Sequence, residues 1–265
     1  MKSARGEQVE AVDVDREGLR WDRAWACVDQ EDGTLGSAKH PGRWGRLLEV
    51  SAHVEEPAGA GIVALLLGGR RAIAGTPEAD SMLSEHLGRP VRLTRIAPEQ
   101  PTLHRQVPDD PGLVPEWMVG AVPGQEMLSD VPGARTGRFV DFGPVHLVTT
   151  GAIARLARHL GRSAVDAARF RPNLVLDAPV DPEPGMRLRI GGAVLRVVMP
   201  TPRCVVPGLA PEGGAGLDRE LLGAVARHYR TKVPALGSGA CLGVYAEVLS
   251  PGRVEVGQPV EGAVG

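Results

Sequence analysis

The chain has 265 residues and a formal net charge of −2, enough for one large domain or two modest ones with a substantial core. Thirty-five glycines and 23 prolines, about a fifth of the chain, carry no collagen-like period, and 43% of residues are hydrophobic, which predicts a folded protein rich in turns and loops. Balanced charge and few aromatics (3 Phe, 4 Trp, 2 Tyr) argue against a dedicated nucleic-acid surface, and the longest nearly apolar stretch, 58–69, is too short and glycine-rich to span a bilayer.

In chain order, the first hundred residues read mainly as strands. Residues 8–14 alternate, 25–28 form a short buried run before a turn-rich segment, and 47–54 and 62–67 supply two more strands. One helix interrupts them, with Thr76 as N-cap, Pro77 in the first turn and Gly88 as the stop. Residues 97–138 hold seven prolines and little periodicity, so the domain boundary is placed there. Beyond Phe139, 144–148 is a strand, followed by a helix capped at Thr150 with Ile153, Leu156 and Leu160 on one face and Gly161 as its end. Ser163 is expected to cap a short helix through Arg169. Strands at 174–176, 186–190 and 194–199 precede a helix over 218–230 and two closing strands, 242–249 and 253–256, joined at Ser250-Pro251-Gly252. Predominant strands and short turns favour barrels over a parallel βαβ sheet, a β-rich α+β class.

Chemistry concentrates in the segment Thr201-Pro202-Arg203-Cys204, where two prolines at 200 and 202 are expected to break the strand. A cysteine beside a permanent cation has reason to favour the thiolate, which attacks or binds soft metals. It is equally a small hydrophobe that can simply be buried. Cys27 and Cys241 sit in strand patterns and are expected in the core; with no CxxC spacing, a disulfide framework is not implied and a reducing cytoplasm is the expected compartment. MKSARGEQVE lacks the apolar run of a secretory signal. Arg169-Phe170-Arg171-Pro172-Asn173 offers fork donors for a phosphate or planar heterocycle, or else a solvated face. Lys2-Ser3 and Arg20-Trp21-Asp22-Arg23 are weaker versions of the same signal, with Asp22 placed to pair Arg23. Of 30 basic residues only Lys2, Lys39 and Lys232 are lysine. Phosphate loops, zinc-protease and hydrolase motifs are absent; Gly213 to Gly216 offers either backbone amides for an anion or a flexible loop. His86, His159 and His228 fall near helix ends, and His40, His53, His104 and His146 show no ligand spacing.

Taken together and in order, Lys2-Ser3, GLRWDRAW (18–25), RFRPN (169–173), TPRC (201–204) and LGVYAEVLSPGRVEVGQPV (242–260) resemble the MOSC family, named for the C-terminal domain of molybdenum cofactor sulfurase. The likeness is greatest to the branch containing the mitochondrial amidoxime-reducing component. It implies an N-terminal β-barrel-like domain (1–97), a proline-rich connection (98–138) and a MOSC β-barrel with peripheral helices (139–262). It implies a molybdenum-molybdopterin cofactor with Cys204 as metal ligand and catalytic residue. Thr201 and Arg203 would lie beside the metal or pterin, Arg171 and Asn173 on the pterin, and Lys2, Ser3 and Arg23 on the side that includes its phosphate. The implied reaction reduces an N-hydroxylated or N-oxide small molecule, with electrons from a separate donor protein. The resemblance also brings the pyridoxal phosphate binding ascribed to the family, and the alternatives of a Cys204 persulfide carrier or a metal-free protein with another ligand.

Three departures accompany the resemblance. After the cysteine the family usually shows threonines and an Asp-Pro-x-Thr-Gly turn, whereas this chain has Val205-Val206-Pro207-Gly208-Leu209-Ala210-Pro211-Glu212-Gly213. The closing Gly-Asp is Gly257-Gln258. Relatives carry a strand before the Lys-Ser pair, which implies either a native start upstream of Met1 or a first barrel that lacks that edge.

Overall fold

The computed structural model describes residues 1–264 except 57, 58, 60, 132, 135, 136, 215, 234 and 235. Ala215, within the glycine run, and parts of the 58–69 stretch therefore lie outside the described residues. The elements in order are β1 (Ala11–Asp15), β2 (Gly18–Leu19), β3 (Ala26–Asp29), α1 (Pro41–Trp44), β4 (Ser51–Val54), β5 (Val63–Leu67), β6 (Arg70–Ile73), α2 (Pro77–Leu87) and β7 (Val91–Thr94). Then come β8 (Thr102–Gln106), β9 (Glu126–Asp130), β10 (Val145–Thr149), α3 (Thr150–His159), β11 (Leu174–Leu176), β12 (Met186–Ile190), β13 (Ala193–Pro202), α4 (Arg219–His228), β14 (Arg230–Val233), β15 (Gly237–Ser250), β16 (Gly252–Glu255) and β17 (Val260–Val264). Among the described residues no helix is long and apolar enough to cross a membrane.

The largest sheet runs β11-β10-β15-β13-β12-β17, with β14 also on β15; its pairings are antiparallel except β10 with β11. Alternation drives it: in β12, Leu188 and Ile190 point into the core while Arg187 and Arg189 face solvent. Their partners inside are Leu147, Leu195, Val197, Val244 and Val254. β1 joins this core through Val14 and pairs with β16, Ala11 opposite Glu255. A second core gathers Trp44, Leu47, Leu65, Met82, Leu83 and Leu93 from β3 to β7, and a third packs α3 and α4 on Leu113, Phe170 and Leu242. The protein is thus a β-rich α+β fold, with small N-terminal sheets and a barrel sheet carrying peripheral helices.

Several expectations shift in detail. The strand expected from 47 begins only at Ser51, because Gly45–Glu49 winds into a 3-10 turn that buries Leu47 and Leu48; apolar neighbours alone do not separate a short strand from such a turn. α3 is capped by the Thr149 hydroxyl, not Thr150, accepting from Ala152 N. No helix starts at Ser163; Asp166 caps a 3-10 turn, Ala167–Phe170. α2 is as expected, with Thr76 accepting from Ala79 N and Gly88 left-handed at φ 67°. The 97–138 segment contains a hairpin of its own, β8 against β9, Thr102 opposite Asp130.

Candidate functional site

β13 does not stop at its prolines; it slips. Its register to β15 shifts between Pro200, opposite Val244, and Pro202, opposite Cys241, because proline cannot donate to the ladder. The slip leaves Gly243 at φ +78°, where a Cβ would come 2.5 Å from Leu147 O and 2.7 Å from His146 Nε2, so only glycine fits. The strand then delivers Arg203, whose N–H bonds Ala240 O at 2.8 Å, and Cys204 beside it. Cys204 is half-buried with a free thiol, and it lines a cavity of about 140 Å³. Cys27 and Cys241 are in the core, as expected, and burial pushes their thiols up to about 12 and about 11.

Residues far apart in sequence meet at that cavity: Lys2, Ser3, Arg23, Arg171, Asn173, Arg203 and Cys204 all line it. Thr201 lies just behind the wall, 1% exposed, and its Oγ1 has no hydrogen-bond partner. The backbone is bent to bring them in. Among the described residues the non-glycine left-handed positions are Ser3 (φ 59°), Trp21 (φ 68°), Arg23 (φ 48°) and Arg171 (φ 53°). Such positions cost about 1–3 kcal/mol each and persist where surrounding bonds over-determine them. Lys2 N donates to Trp25 O at 2.7 Å, Ser3 Oγ accepts from Ala38 N at 3.0 Å, and Phe139 N donates to Arg23 O at 2.9 Å. Arg171 Nη2 reaches Ala4 O at 2.6 Å, tying the 169–173 turn to the first residues.

The Asn173 amide is fully engaged. Its Oδ1 accepts from His146 N at 2.9 Å and its Nδ2 donates to Asp22 Oδ2 at 2.8 Å. Asp22 also pairs with Arg23. Burial alone would raise the Asp22 carboxyl, but Arg23 and the Asn173 bond outweigh it and hold the group below its usual value. Burial and the neighbouring Arg23 bring Arg171 down to about 10, still cationic at neutral pH.

Three cavity residues escape sequence reasoning. Asp141 bridges two lysines, accepting from Lys2 Nζ at 3.0 Å and Lys39 Nζ at 2.9 Å, while Lys2 also donates to Phe139 O at 3.0 Å. Against its burial, these two ammonium groups keep Asp141 well below the usual carboxylate range. His146, buried, faces Arg203 Nη2 with its Nε2 at 2.9 Å. A guanidinium can only donate, so Nε2 is the acceptor and the imidazole proton sits on Nδ1, toward Arg171 O. Burial first, then Arg203, hold His146 well below its ordinary value and thus neutral. Arg203 completes its bonding to Phe170 O at 3.0 Å. None of Lys39, Asp141 and His146 belongs to a recognisable motif; the rarity of lysine, at positions 2, 39 and 232 alone, is the one sequence feature that sets Lys39 apart.

The lining carries five arginines and two lysines against the carboxylate of Asp141, a setting for an anionic guest. Opposite this charge stand apolar groups, among them Trp117, Met118, Phe142, Val206 and Pro207. Among the described residues no group of three or more His, Cys, Asp or Glu could hold a metal.

No curated protein matches the chain. Among solved structures it is similar to the YuaD protein from Bacillus subtilis, with 19% identity, 54% of this chain and 69% of that chain covered and a TM-score of 0.35. It is also similar to YiiM from Geobacillus stearothermophilus, with 19% identity, coverage of 46% and 54%, and a TM-score of 0.34. The family model of the MOSC domain matches residues 134–261. That span holds Cys204 and the barrel sheet from β10 to the start of β17, and over it the chain is similar to the MOSC domain.

Proposed function

We propose that the protein binds a molybdenum-pterin cofactor and reduces N-hydroxylated or N-oxide small molecules, with electrons delivered by a separate protein. The observation that carries this is the convergence, on one cation-lined cavity, of a lone accessible thiol with donors from positions 2–3, 23 and 171–173. The residues fit the group. Cys204 offers the soft thiolate ligand such a metal takes, and the Thr201 hydroxyl is a buried polar atom of the kind a bound group satisfies. Arg23 and Arg171 would hold the pterin and its phosphate with Lys2 and Ser3 beside them, while Asn173 acts through Asp22 by fixing how Arg23 points. When bound, the cofactor supplies two-electron chemistry and accepts oxygen from the substrate.

The chain's own contribution is placement. His146 holds Arg203 against the cavity wall without adding a charge, and Arg203 keeps a cation next to Cys204. Val206 and Pro207 make the wall after the cysteine apolar and limit water there. The test is metal and pterin analysis of protein purified from a cofactor-competent host grown with ample molybdate. About one molybdenum per chain, lost in Cys204→Ala, together with reduction of an N-hydroxylated amidine by a chemically reduced viologen, is the expected result. Cyanide-labile sulfur on Cys204 without metal would instead establish a sulfur carrier. A pyridoxal chromophore, or no metal, sulfur or pterin at all, would overturn the proposal.

A further inference from the structure

One cavity cation differs from the rest. Arg23 has Asp22, Lys2 and Lys39 share Asp141, Arg169 donates to Pro207 O and Leu209 O, Arg171 to Ala4 O, and Arg203 to Phe170 O. Arg105 on β8 also lines the cavity, yet among the described residues its side chain finds no oxygen. Its Nη1 reaches only the Met118 thioether, at 3.8 Å, and its Nε is buried with no partner. A buried guanidinium donor without an acceptor is costly unless a ligand supplies one.

Its position shows which side of the cavity it serves. The segment after β8 carries Trp117 and Met118 into the lining and is pinned to β15, Glu116 N donating to Ser238 O at 3.0 Å and Ser238 N to Glu116 Oε2 at 2.7 Å. The neighbouring Ala240 holds Arg203 N–H, so this wall flanks Cys204. On its other side β8 adjoins the Lys2–Asp141 cluster, Gln106 N donating to Lys39 O at 2.8 Å.

We infer that Arg105 is a specificity-determining residue that receives an oxyanion, a carboxylate or phosphate ester, on the small molecule entering beside Cys204, whose apolar body lies against Trp117, Phe142 and Val206. The inference rests on the proposed reaction only in calling that molecule the substrate; the anion site itself stands on Arg105. A guanidinium fork that meets no protein oxygen suits a planar oxyanion better than any neutral group. The same chemistry could be met by the cofactor's phosphate, and the experiment separates the two.

The probe is benzoate, with benzamide as the neutral isostere, titrated by calorimetry into wild-type protein, Arg105→Gln and Arg105→Lys, with molybdenum and pterin measured in each. Benzoate is expected to bind wild type at least about tenfold more tightly than Arg105→Gln. Arg105→Lys should fall between, and benzamide should not distinguish the three. Molybdenum content should be the same in all. Among the described residues the Arg105 side chain makes no bond to a protein oxygen, and its backbone pairing to Met127 survives substitution, so the variants fold; Arg105→Lys, which keeps the charge, guards against a structural loss. Equal benzoate affinity in wild type and Arg105→Gln would overturn the inference. So would loss of pterin in Arg105→Gln, which assigns Arg105 to the cofactor phosphate. Arg105-dependent benzoate binding in a protein without molybdenum would sustain the anion site and sink the proposed reaction.

Discussion

The cavity's cations differ in how they are paired, and Lys2 and Arg105 mark the two ends of that range. Lys2 is 4% exposed and its ammonium is committed to Asp141 and Phe139 O. Arg105 lines the cavity with a sulfur atom as its nearest acceptor among the described residues. An ammonium taken almost wholly out of water must find its counter-charge inside the protein, or it does not stay charged. A guanidinium at a cavity wall can leave that requirement to whatever enters. The first is organised before any ligand arrives, whereas the second is organised by one.

The strongest way to break this contrast is Asp141→Asn, which leaves Lys2 and Lys39 without their shared carboxylate. Losing one partner of a buried pair costs about 3–5 kcal/mol, so urea unfolding should show a loss on that scale. Adding Lys2→Met in the same chain should recover part of it, since an uncompensated charge is then removed. No comparable loss is expected for Arg105→Gln. If the two single variants were equally destabilised, the contrast between the two cations would be wrong.

A smaller effect sharpens it through pH. His146 is held neutral in the fold, below its ordinary value of 6.5, by burial and by Arg203, with the Arg171 carbonyl, Arg23 and Tyr245 its other neighbours. The unfolded chain therefore binds the extra proton, and stability falls as pH drops below 6.5 by up to about 1.4 kcal/mol per unit. His146→Gln, which cannot titrate, should flatten the stability–pH curve between 6.5 and the carboxylate range. The Asp141 contribution has the same sense but a lower window, full above 3.8 and lost as pH falls through its depressed folded value. An unchanged slope in His146→Gln would show that another group sets it. The smallest expected effect is a control remote from both cations: Thr76→Ala removes the α2 cap and should cost about 1 kcal/mol without altering the benzoate or pH behaviour.

Much of the cavity was legible in the chain because it is written in short local signatures. Arg203-Cys204, Arg171-Pro172-Asn173 and Lys2-Ser3 each bring their chemistry in a few adjacent residues. Asp141, Lys39, His146 and Arg105 stand alone in sequence, and their meaning comes from partners such as Lys2 for Asp141, 139 positions away. The helices were readable from caps and periodicity, as at Thr76 and Gly88. The turn at Gly45–Glu49 was not, since Leu47 and Leu48 are buried by tertiary packing that no local period announces. Likewise the prolines near Cys204 correctly marked an irregularity, but the large sheet absorbs it as a shift of register and the strand continues through Pro202.

The pairing of β1 with β16 has a consequence for how the protein is made. Ala11 cannot find Glu255 until Glu255 itself has left the ribosome, and closing so long a loop is a slow, entropically unfavourable step. Lys2 and Ser3, which precede β1, line the same cavity as Cys204. The lining is therefore complete only after residues about 200 positions apart in the chain have both been made and brought together.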